Sequence, residues 1–208
     1  MVIINGKPFL AYLLKYLAKQ GINEVVFSVG YKSHAVVEYF GDKYAKMEIK
    51  YAIEEHTLGT GGAIKNSMPF VGHDDVFIMN GDTFFPIKLS LLYDYHVSHS
   101  SRVTLALKPM RNIERYGTVA IDARGAVTGF DEIHYHESGL INGGIYVLRR
   151  DALDDLNMPE AFSFEADYLK KYYRKEAIFG LPFDDYFIDI GVPQDYERAK
   201  AELKRIAN

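Results

Sequence analysis

The stretch that decides the fold is Asp75–Asp82, with the sequence DVFIMNGD. Its first part, Asp75–Met79, is a short apolar run of the kind that forms a strand buried on both faces of a parallel sheet. The pair Asn80-Gly81 is typical of a turn, so the strand is expected to end there. The segment therefore predicts a buried strand with a carboxylate, Asp82, just beyond its carboxyl end.

Strand and helix patterns alternate on both sides of this segment. Apolar residues three and four positions apart predict a helix that Gly21 is suited to end, and Ser33 is suited to cap the next helix. The alternation predicts an α/β domain, Rossmann-like, with a mostly parallel sheet sandwiched by helices. The other predicted strands are Glu24–Val29, Met47–Ile53 and Ser101–Leu107, and the predicted helices are Lys7–Gln20, Ser33–Tyr39, Gly59–Met68 and Leu89–His99.

The pattern changes in the middle of the chain. Short strand-like runs lie close together there, with turn residues such as Arg124-Gly125 between two of them, which predicts a small antiparallel extension at one end of the sheet. The runs are Thr118–Asp122, Ala126–Phe130 and Gly144–Leu148; beyond them we expect helices at Phe162–Tyr173 and Pro193–Ile206 and strands at Ala177–Leu181 and Tyr186–Ile190. Without an internal repeat or linker, residues 1–208 are interpreted as a single domain.

Composition excludes several classes of protein. The formal net charge of −4 argues against a nucleic-acid binder, which normally carries a clustered basic excess. The absence of cysteine excludes disulfides and Cys-ligated zinc, and it fits a cytoplasmic location. No run of 18 apolar residues predicts a membrane span, and Met1–Ala11 does not have the pattern of a secretion signal.

A glycine-rich segment, Glu54–Ala63, follows one predicted strand and opens a helix. Its glycines would let the backbone approach a flat or anionic ligand and present free N–H groups to it. The spacing matches neither a Walker A loop nor a dinucleotide-binding loop. A flexible strand-to-helix turn explains the glycines equally well. The candidate nucleotide-binding residues are Glu54, Leu58, Gly59, Thr60, Gly61 and Gly62, together with Asn80 and Gly81.

Two carboxylates, Asp82 and Asp189, lie at the ends of predicted strands. Because ligands of an open α/β sheet gather at the carboxyl ends of its strands, the two side chains are expected to meet there. Mg²⁺ commonly takes one or two protein carboxylates and completes its shell with phosphate oxygens, so the pair predicts a Mg²⁺ site. For Asp82 taken alone, a turn residue or a helix cap remains an alternative.

The remaining candidates are polar or glycine-containing turns that would line a sugar pocket. They are Tyr116-Gly117 and Asn142-Gly143, with Glu165 near the start of a helix, where stabilising the helix dipole is the alternative. His134 and His136 lack a third ligand at metal-binding spacing, so no metal is predicted there. A Gly-x-Ser-x-Gly nucleophile motif is absent from the sequence.

Taken in order, these segments resemble the sugar-1-phosphate nucleotidyltransferases over almost the whole chain. The segments that carry the resemblance are NGKPFL (5–10), LGTGGA (58–63), NGDT (80–83), YG (116–117), NGGIY (142–146), FSFE (162–165) and FIDIG (187–191). The sequences LGTGGAI, NGDTFF and FIDIGVPQDY are most similar to those of the members that transfer GMP to heptose 1-phosphate. The mannose 1-phosphate enzymes are next.

The resemblance implies the nucleotide-diphospho-sugar transferase fold. It also implies an in-line attack of a sugar 1-phosphate on the α-phosphate of a nucleoside triphosphate, with GTP as the expected nucleotide. Asp82 and Asp189 would hold Mg²⁺, and Gly59–Gly62 would recognise the base through main-chain groups. Tyr116, Gly117, Glu132, Asn142, Gly143 and Glu165 would lie on the sugar side. Such chemistry depends mainly on positioning and charge neutralisation.

The chain departs from the family pattern in two places. The family's first strand, its Gly-rich phosphate loop and a Lys-Pro precede the segment that matches here at Met1, so a longer native enzyme is expected. The family's sugar-side Glu-Lys pair appears as Glu132-Ile133. A non-catalytic nucleotide-sugar-binding or regulatory subunit is the alternative function, and a structural interaction domain is a third. An exposed sheet edge would favour a homodimer.

Overall fold

The computed structural model describes residues 1–154 and 156–206. Its strands are β1 (Ile3–Ile4), β2 (Lys7–Pro8), β3 (Glu24–Val29), β4 (Lys43–Tyr44), β5 (Met47–Ile53), β6 (Asp75–Met79), β7 (Thr83–Phe84), β8 (Val103–Ile113), β9 (Val119–Ile121), β10 (Val127–Phe130), β11 (His136–Arg149), β12 (Ile178–Pro182) and β13 (Ile188–Asp189). Its α-helices are α1 (Phe9–Lys19), α2 (Ser33–Phe40), α3 (Gly59–Ser67), α4 (Leu89–Ser98), α5 (Lys170–Tyr172) and α6 (Pro193–Ile206).

Two sheets form the centre of the molecule. One has the order β3–β5–β4, with β3 parallel to β5, and the other has the order β12–β8–β11–β6. The predicted α/β class is confirmed, but the larger sheet is mixed rather than mostly parallel, because β11 runs antiparallel to both of its neighbours. The chain returns from β8 to β11 through the β9–β10 hairpin instead of a helical crossover, and this connection reverses its direction.

The antiparallel extension is longer than the sequence predicts. Beyond the sheet, β8 and β11 continue as a two-stranded ribbon. It runs from the pair Lys108–Ile141 to the pair Ile113–His136. The register shifts between Asn142 and Tyr146, where Gly144 has a φ of 71°. A bulge of this kind bends the strand and re-aims its side chains. The bend separates the half of β11 inside the core from the half that projects towards solvent.

The helices follow the predicted pattern with three local differences. Lys7–Pro8, predicted as the start of the first helix, forms β2, and α1 begins at Phe9. Lys32, with a left-handed φ of 56°, precedes α2, so the predicted cap Ser33 is instead its first residue. The helix predicted over Phe162–Tyr173 begins as a π-helical segment, Phe164–Leu169, and only then continues as α5. Ser163 caps this segment by accepting a hydrogen bond from the Ala166 N–H at 3.0 Å. Wider π-helical turns are frequent at functional sites.

A cavity of about 880 Å³ lies between the two sheets. Among the described residues β3 pairs only with β5, and β6 only with β11, so one edge of each strand faces this cavity. Apolar side chains of α1 and α3 also line it, and at one end it reaches Asn80, Asp82 and Glu165. The cavity therefore leads to the carboxyl end of β6. The described residues include no helix long and apolar enough to cross a membrane.

Candidate functional site

The two predicted carboxylates lie beside a pair of short strands, Asp82 just before β7 and Asp189 at the end of β13. β7 pairs antiparallel with β13, which places Asp189 opposite Thr83, and the Ile190 N–H donates to the Asp82 carbonyl oxygen at 2.9 Å. Loss of water around the Asp82 side chain, and next the negative charge of Asp189, raise the pKa of Asp82 above its usual value. The Thr83 hydroxyl, 3.2 Å from the Asp82 Oδ1, opposes this rise in pKa. A cation between the two carboxylates would relieve their repulsion.

Asp189 is held in place by two donors. The Gly191 N–H donates to its Oδ1 at 2.7 Å, and the Tyr116 hydroxyl donates to its Oδ2 at 3.2 Å. Arg115 donates to the Tyr116 oxygen at 2.8 Å and forms an ion pair with Asp195 at 2.7 Å. Burial, and next the charge of Asp189, raise the pKa of Tyr116, so its hydroxyl keeps its proton. The Tyr116 hydroxyl, predicted to lie on the sugar side, thus contacts a predicted metal ligand.

The glycine-rich loop is tied to the end of β3 through Glu54. The Ser28 hydroxyl donates to the Glu54 Oε1 at 3.0 Å, and the Leu58 N–H donates to the Oε2 at 3.3 Å. A carboxylate that accepts from the backbone just before a helix also compensates the positive end of the helix dipole. Glu54 therefore orients the loop that opens α3.

The glycines of the loop allow another segment of this chain to approach it. The N–H groups of Gly61 and Gly62 donate to the Phe162 carbonyl oxygen at 2.9 and 3.4 Å. A Cβ atom on Gly61 would lie 2.1 Å from the Phe162 ring, and one on Gly59 would lie 2.6 Å from the Phe162 oxygen. The expectation that the N–H groups of Gly61 and Gly62 are free for a ligand is therefore wrong, because Phe162 already accepts from both.

Glu165 accepts hydrogen bonds from two different elements of the fold, α3 and β11. The Thr60 hydroxyl donates to its Oε2 at 2.7 Å, and the buried Tyr146 hydroxyl donates to its Oε1 at 3.2 Å. Asn142 in turn donates from its side-chain nitrogen to the Tyr146 oxygen at 2.7 Å. The structure thus brings together the predicted nucleotide residue Thr60 and the predicted sugar residues Glu165 and Asn142.

The other predicted sugar-side residues lie around the same end of β11. A Cβ atom on Gly117 would lie 2.3 Å from the Asp131 carbonyl oxygen, and one on Gly143 would lie 2.5 Å from the Phe85 ring, so both glycines permit close packing. Glu132, 84% exposed at its side chain, pairs with the Lys170 Nζ at 2.8 Å. An ammonium group therefore accompanies Glu132, although it comes from α5 and not from the next residue.

Known proteins identify the family. The family model described as nucleotidyl transferase matches residues 1–206. The chain belongs to this nucleotidyl transferase family. It is 45% identical to the D-glycero-alpha-D-manno-heptose 1-phosphate guanylyltransferase of Aneurinibacillus thermoaerophilus, covering 98% of this chain and 88% of that protein. It is 48% identical to the protein of the same name from Campylobacter jejuni subsp. jejuni serotype O:2, covering 94% and 86%.

A solved structure of the family has the same fold as this nucleotidyl transferase. HddC from Yersinia pseudotuberculosis, complexed with GMP-PN, superposes with a TM-score of 0.89 at 31% identity, over 98% of this chain and 88% of that one. The predicted resemblance and the predicted fold class are confirmed by these matches.

Several residues of this nucleotidyl transferase site were not predicted from the sequence. Arg115 supports Tyr116, Lys170 pairs with Glu132, and Tyr146 contacts Glu165. Tyr146 follows Asn142 by four residues in the quoted NGGIY segment, so that segment contained a signal for it. Lys170 lies 38 residues from Glu132 in the chain and carries no local signal.

The ring centroids of His134 and His136 are 4.0 Å apart, and the described residues contain no cluster of three potential metal ligands.

Proposed function

We propose that this nucleotidyl transferase is a guanylyltransferase that joins GMP from GTP to a heptose 1-phosphate and releases pyrophosphate. The observation that carries the proposal is the juxtaposition of Asp189 with Asp82, which lines the end of the cavity that Thr60 of the glycine-rich loop also lines. Carboxylates of this kind serve phosphoryl transfer by holding a cation against the phosphates. The heptose 1-phosphate guanylyltransferases at 45% and 48% identity support the choice of base and sugar.

Mg²⁺ is the proposed cofactor, and Asp82 and Asp189 are the proposed ligands. Loss of water, and next the charge of Asp189, raise the pKa of Asp82, and a cation bound between the two carboxylates would offset that charge. Two carboxylates suit Mg²⁺, which completes its shell with water and substrate phosphates. When bound, the ion would neutralise charge on the phosphates. Tyr116 and Gly191 keep the Asp189 carboxylate in place.

The remaining predicted residues are proposed to divide between the two substrates. On the nucleotide side we place the loop from Glu54 to Gly62 with Asn80 and Gly81, where the exposed part of the loop backbone contacts the base. On the sugar side we place Gly117, Glu132, Asn142, Gly143 and Glu165, and we add Lys170 because its ammonium group lies 2.8 Å from Glu132. A cationic group beside the sugar subsite would attract the 1-phosphate.

The cellular setting is part of the same proposal. We place the enzyme in the cytoplasm, where nucleoside triphosphates are available, and its product would supply glycosyltransferases that build surface glycans. The proposal includes self-association as a homodimer, since a free strand edge pairs readily with a second chain and β4 forms an edge of the smaller sheet. Light scattering at several protein concentrations tests the dimer; a single monomer mass throughout would contradict it.

The test of function is pyrophosphate release from GTP and D-glycero-D-manno-heptose 1-phosphate with Mg²⁺. We expect turnover with this pair and slower turnover with mannose 1-phosphate. Asp82→Asn and Asp189→Asn should each lose about 10²-fold or more, because each removes a charged ligand of the cation that would neutralise the phosphates. Asp94→Asn, an exposed change of the same kind on α4, is the matched control and should keep wild-type activity.

The outcomes separate the proposal from the alternative function. Binding of GTP or a GDP-sugar without any pyrophosphate release would favour a non-catalytic nucleotide-sugar-binding subunit. Turnover that survives both aspartate substitutions would contradict the proposed roles of Asp82 and Asp189.

A further inference from the structure

The hydroxyl proton of Thr60 is already used within the chain. It donates its one proton to the Glu165 Oε2 at 2.7 Å and accepts from the Phe164 N–H at 2.8 Å. A hydroxyl has one donor and two acceptor lone pairs, so no proton is left for a donor bond to a base or a ribose. Thr60 therefore differs from the role that its place in the glycine-rich loop suggests.

The hydroxyl of Tyr146 reaches the same carboxylate from the opposite side. The residue is 1% exposed, and its oxygen accepts from Asn142 at 2.7 Å while its proton points to the Glu165 Oε1 at 3.2 Å. Burial, and next the charge of Glu165, raise the pKa of Tyr146 well above the ordinary value, so the donor keeps its proton. The ring is fixed by an edge-to-face contact with Phe164, with 5.2 Å between centroids.

The Glu165 carboxylate is thereby nearly saturated. An ionised carboxylate offers about four acceptor positions, and Thr60, Tyr146 and the Ser163 hydroxyl at 3.3 Å contact it already. Three donors on two oxygens fix both the rotation and the tilt of the carboxylate. They leave room for about one further hydrogen bond, which is what recognition of a single sugar hydroxyl requires.

From these contacts we infer that Thr60 and Tyr146 are positioning residues that hold the Glu165 carboxylate for a hydroxyl of the sugar. Thr60 thus serves the sugar half of the substrate although it lies in the loop assigned to the nucleotide. The inference rests on the proposed function for the identity of the sugar. It predicts that the two hydroxyls affect sugar affinity and leave guanine nucleotide affinity unchanged.

Calorimetry with GDP and with GDP-D-glycero-D-manno-heptose tests the inference without turnover. The second ligand contains the first, so the ratio of the two dissociation constants isolates the sugar. We expect Thr60→Val and Tyr146→Phe each to weaken binding of the GDP-heptose about tenfold, the effect of losing a hydrogen bond to a charged group, with GDP affinity unchanged. Thr60→Ser keeps the hydroxyl and should retain wild-type affinity for both ligands.

Tyr31→Phe is the control for removing a tyrosine hydroxyl, because Tyr31 is 91% exposed and the change should leave both affinities unaltered. Equal weakening of GDP and GDP-heptose in Thr60→Val would overturn the inference, as would unchanged affinity for both, or wild-type protein that binds GDP-heptose no more tightly than GDP. If Tyr146→Phe does not fold, the Thr60→Val and Thr60→Ser pair decides alone. Absence of pyrophosphate release would instead contradict the proposed function and leave this comparison of affinities valid.

Discussion

At the scale of single residues, the Asp82 carboxylate is predicted to lower the stability of the protein without a cation. Its pKa is raised in the folded state, so the charged form is less favourable there than in the unfolded chain. The cost is present above the folded pKa and vanishes below the unfolded value of about 3.9. Asp82→Asn should therefore raise the free energy of unfolding at pH 7.5, with a gain that shrinks as pH falls towards 4.

Urea denaturation at the two pH values in a chelating buffer measures this effect. Asp94→Asn should change stability little at either pH, because the residue is exposed on α4. Added Mg²⁺ with GTP should stabilise the wild type more than Asp82→Asn. A variant that is less stable than the wild type at pH 7.5 would show that loss of water and the charge of Asp189 do not dominate the contribution of the Asp82 carboxylate to stability.

The charged groups of the site could be predicted because their positions follow from strand ends. Asp82 and Asp189 each come directly after or at the end of an apolar strand, and the carboxyl ends of strands are where ligands of such sheets gather. The partners of these groups were harder to predict. Tyr116 and Lys170 contact Asp189 and Glu132 across 73 and 38 residues of sequence. Such contacts depend on tertiary packing, for which a single sequence contains no local pattern.

At the scale of elements, α3 is docked against the segment before Phe164 with no space for an extra carbon. A Cβ atom on Gly61 would lie 2.1 Å from the Phe162 ring, which is itself 4% exposed and packed in the core. Gly61→Ala should lower the free energy of unfolding by about 1–3 kcal/mol, the usual cost of overpacking. Gly72→Ala is the matched control, since nothing lies within 4 Å of its Cβ position.

Thermal or urea denaturation of the two variants decides the point. We expect Gly72→Ala to match the wild type within about 0.5 kcal/mol, as surface changes usually do. Equal stability of both variants would mean that the Phe162 segment moves aside freely, and that the glycines of the loop do not serve this contact.

The predictions of elements succeeded where the apolar residues follow one clear pattern, either a continuous run or helical spacing. The strands β3, β5 and β6 and the helix α6 have the predicted bounds because apolar runs and helical spacing are unambiguous there. They fell short for β8 and β11, whose outer halves show no regular alternation of polar and apolar residues and contain Pro109 and Gly139. Each of these residues normally argues against a strand, but the pairing of two long strands compensates for them.

At the scale of the whole molecule, the first and last elements close the fold against each other. The hairpin of β1 and β2 packs on α6, and the residues Ile4, Phe9, Ala199 and Leu203 belong to one buried cluster. Two hydrogen bonds join the same elements across about the full length of the chain: Asn5 donates to the Lys200 carbonyl oxygen at 2.8 Å, and the Tyr196 hydroxyl donates to the Ile3 carbonyl oxygen at 2.9 Å.

Removing the second of these bonds tests how much this closure stabilises the molecule. Tyr196→Phe keeps the ring that the Lys200 ammonium group approaches at 4.3 Å and deletes only the hydroxyl. The free energy of unfolding should fall by about 0.5–1.5 kcal/mol, the net value of one intramolecular hydrogen bond, and Tyr31→Phe should leave it unchanged. A single cooperative urea transition that shifts as a whole would show that the closure stabilises the entire domain. A shift confined to a separate early transition would mean that the hairpin and α6 unfold on their own.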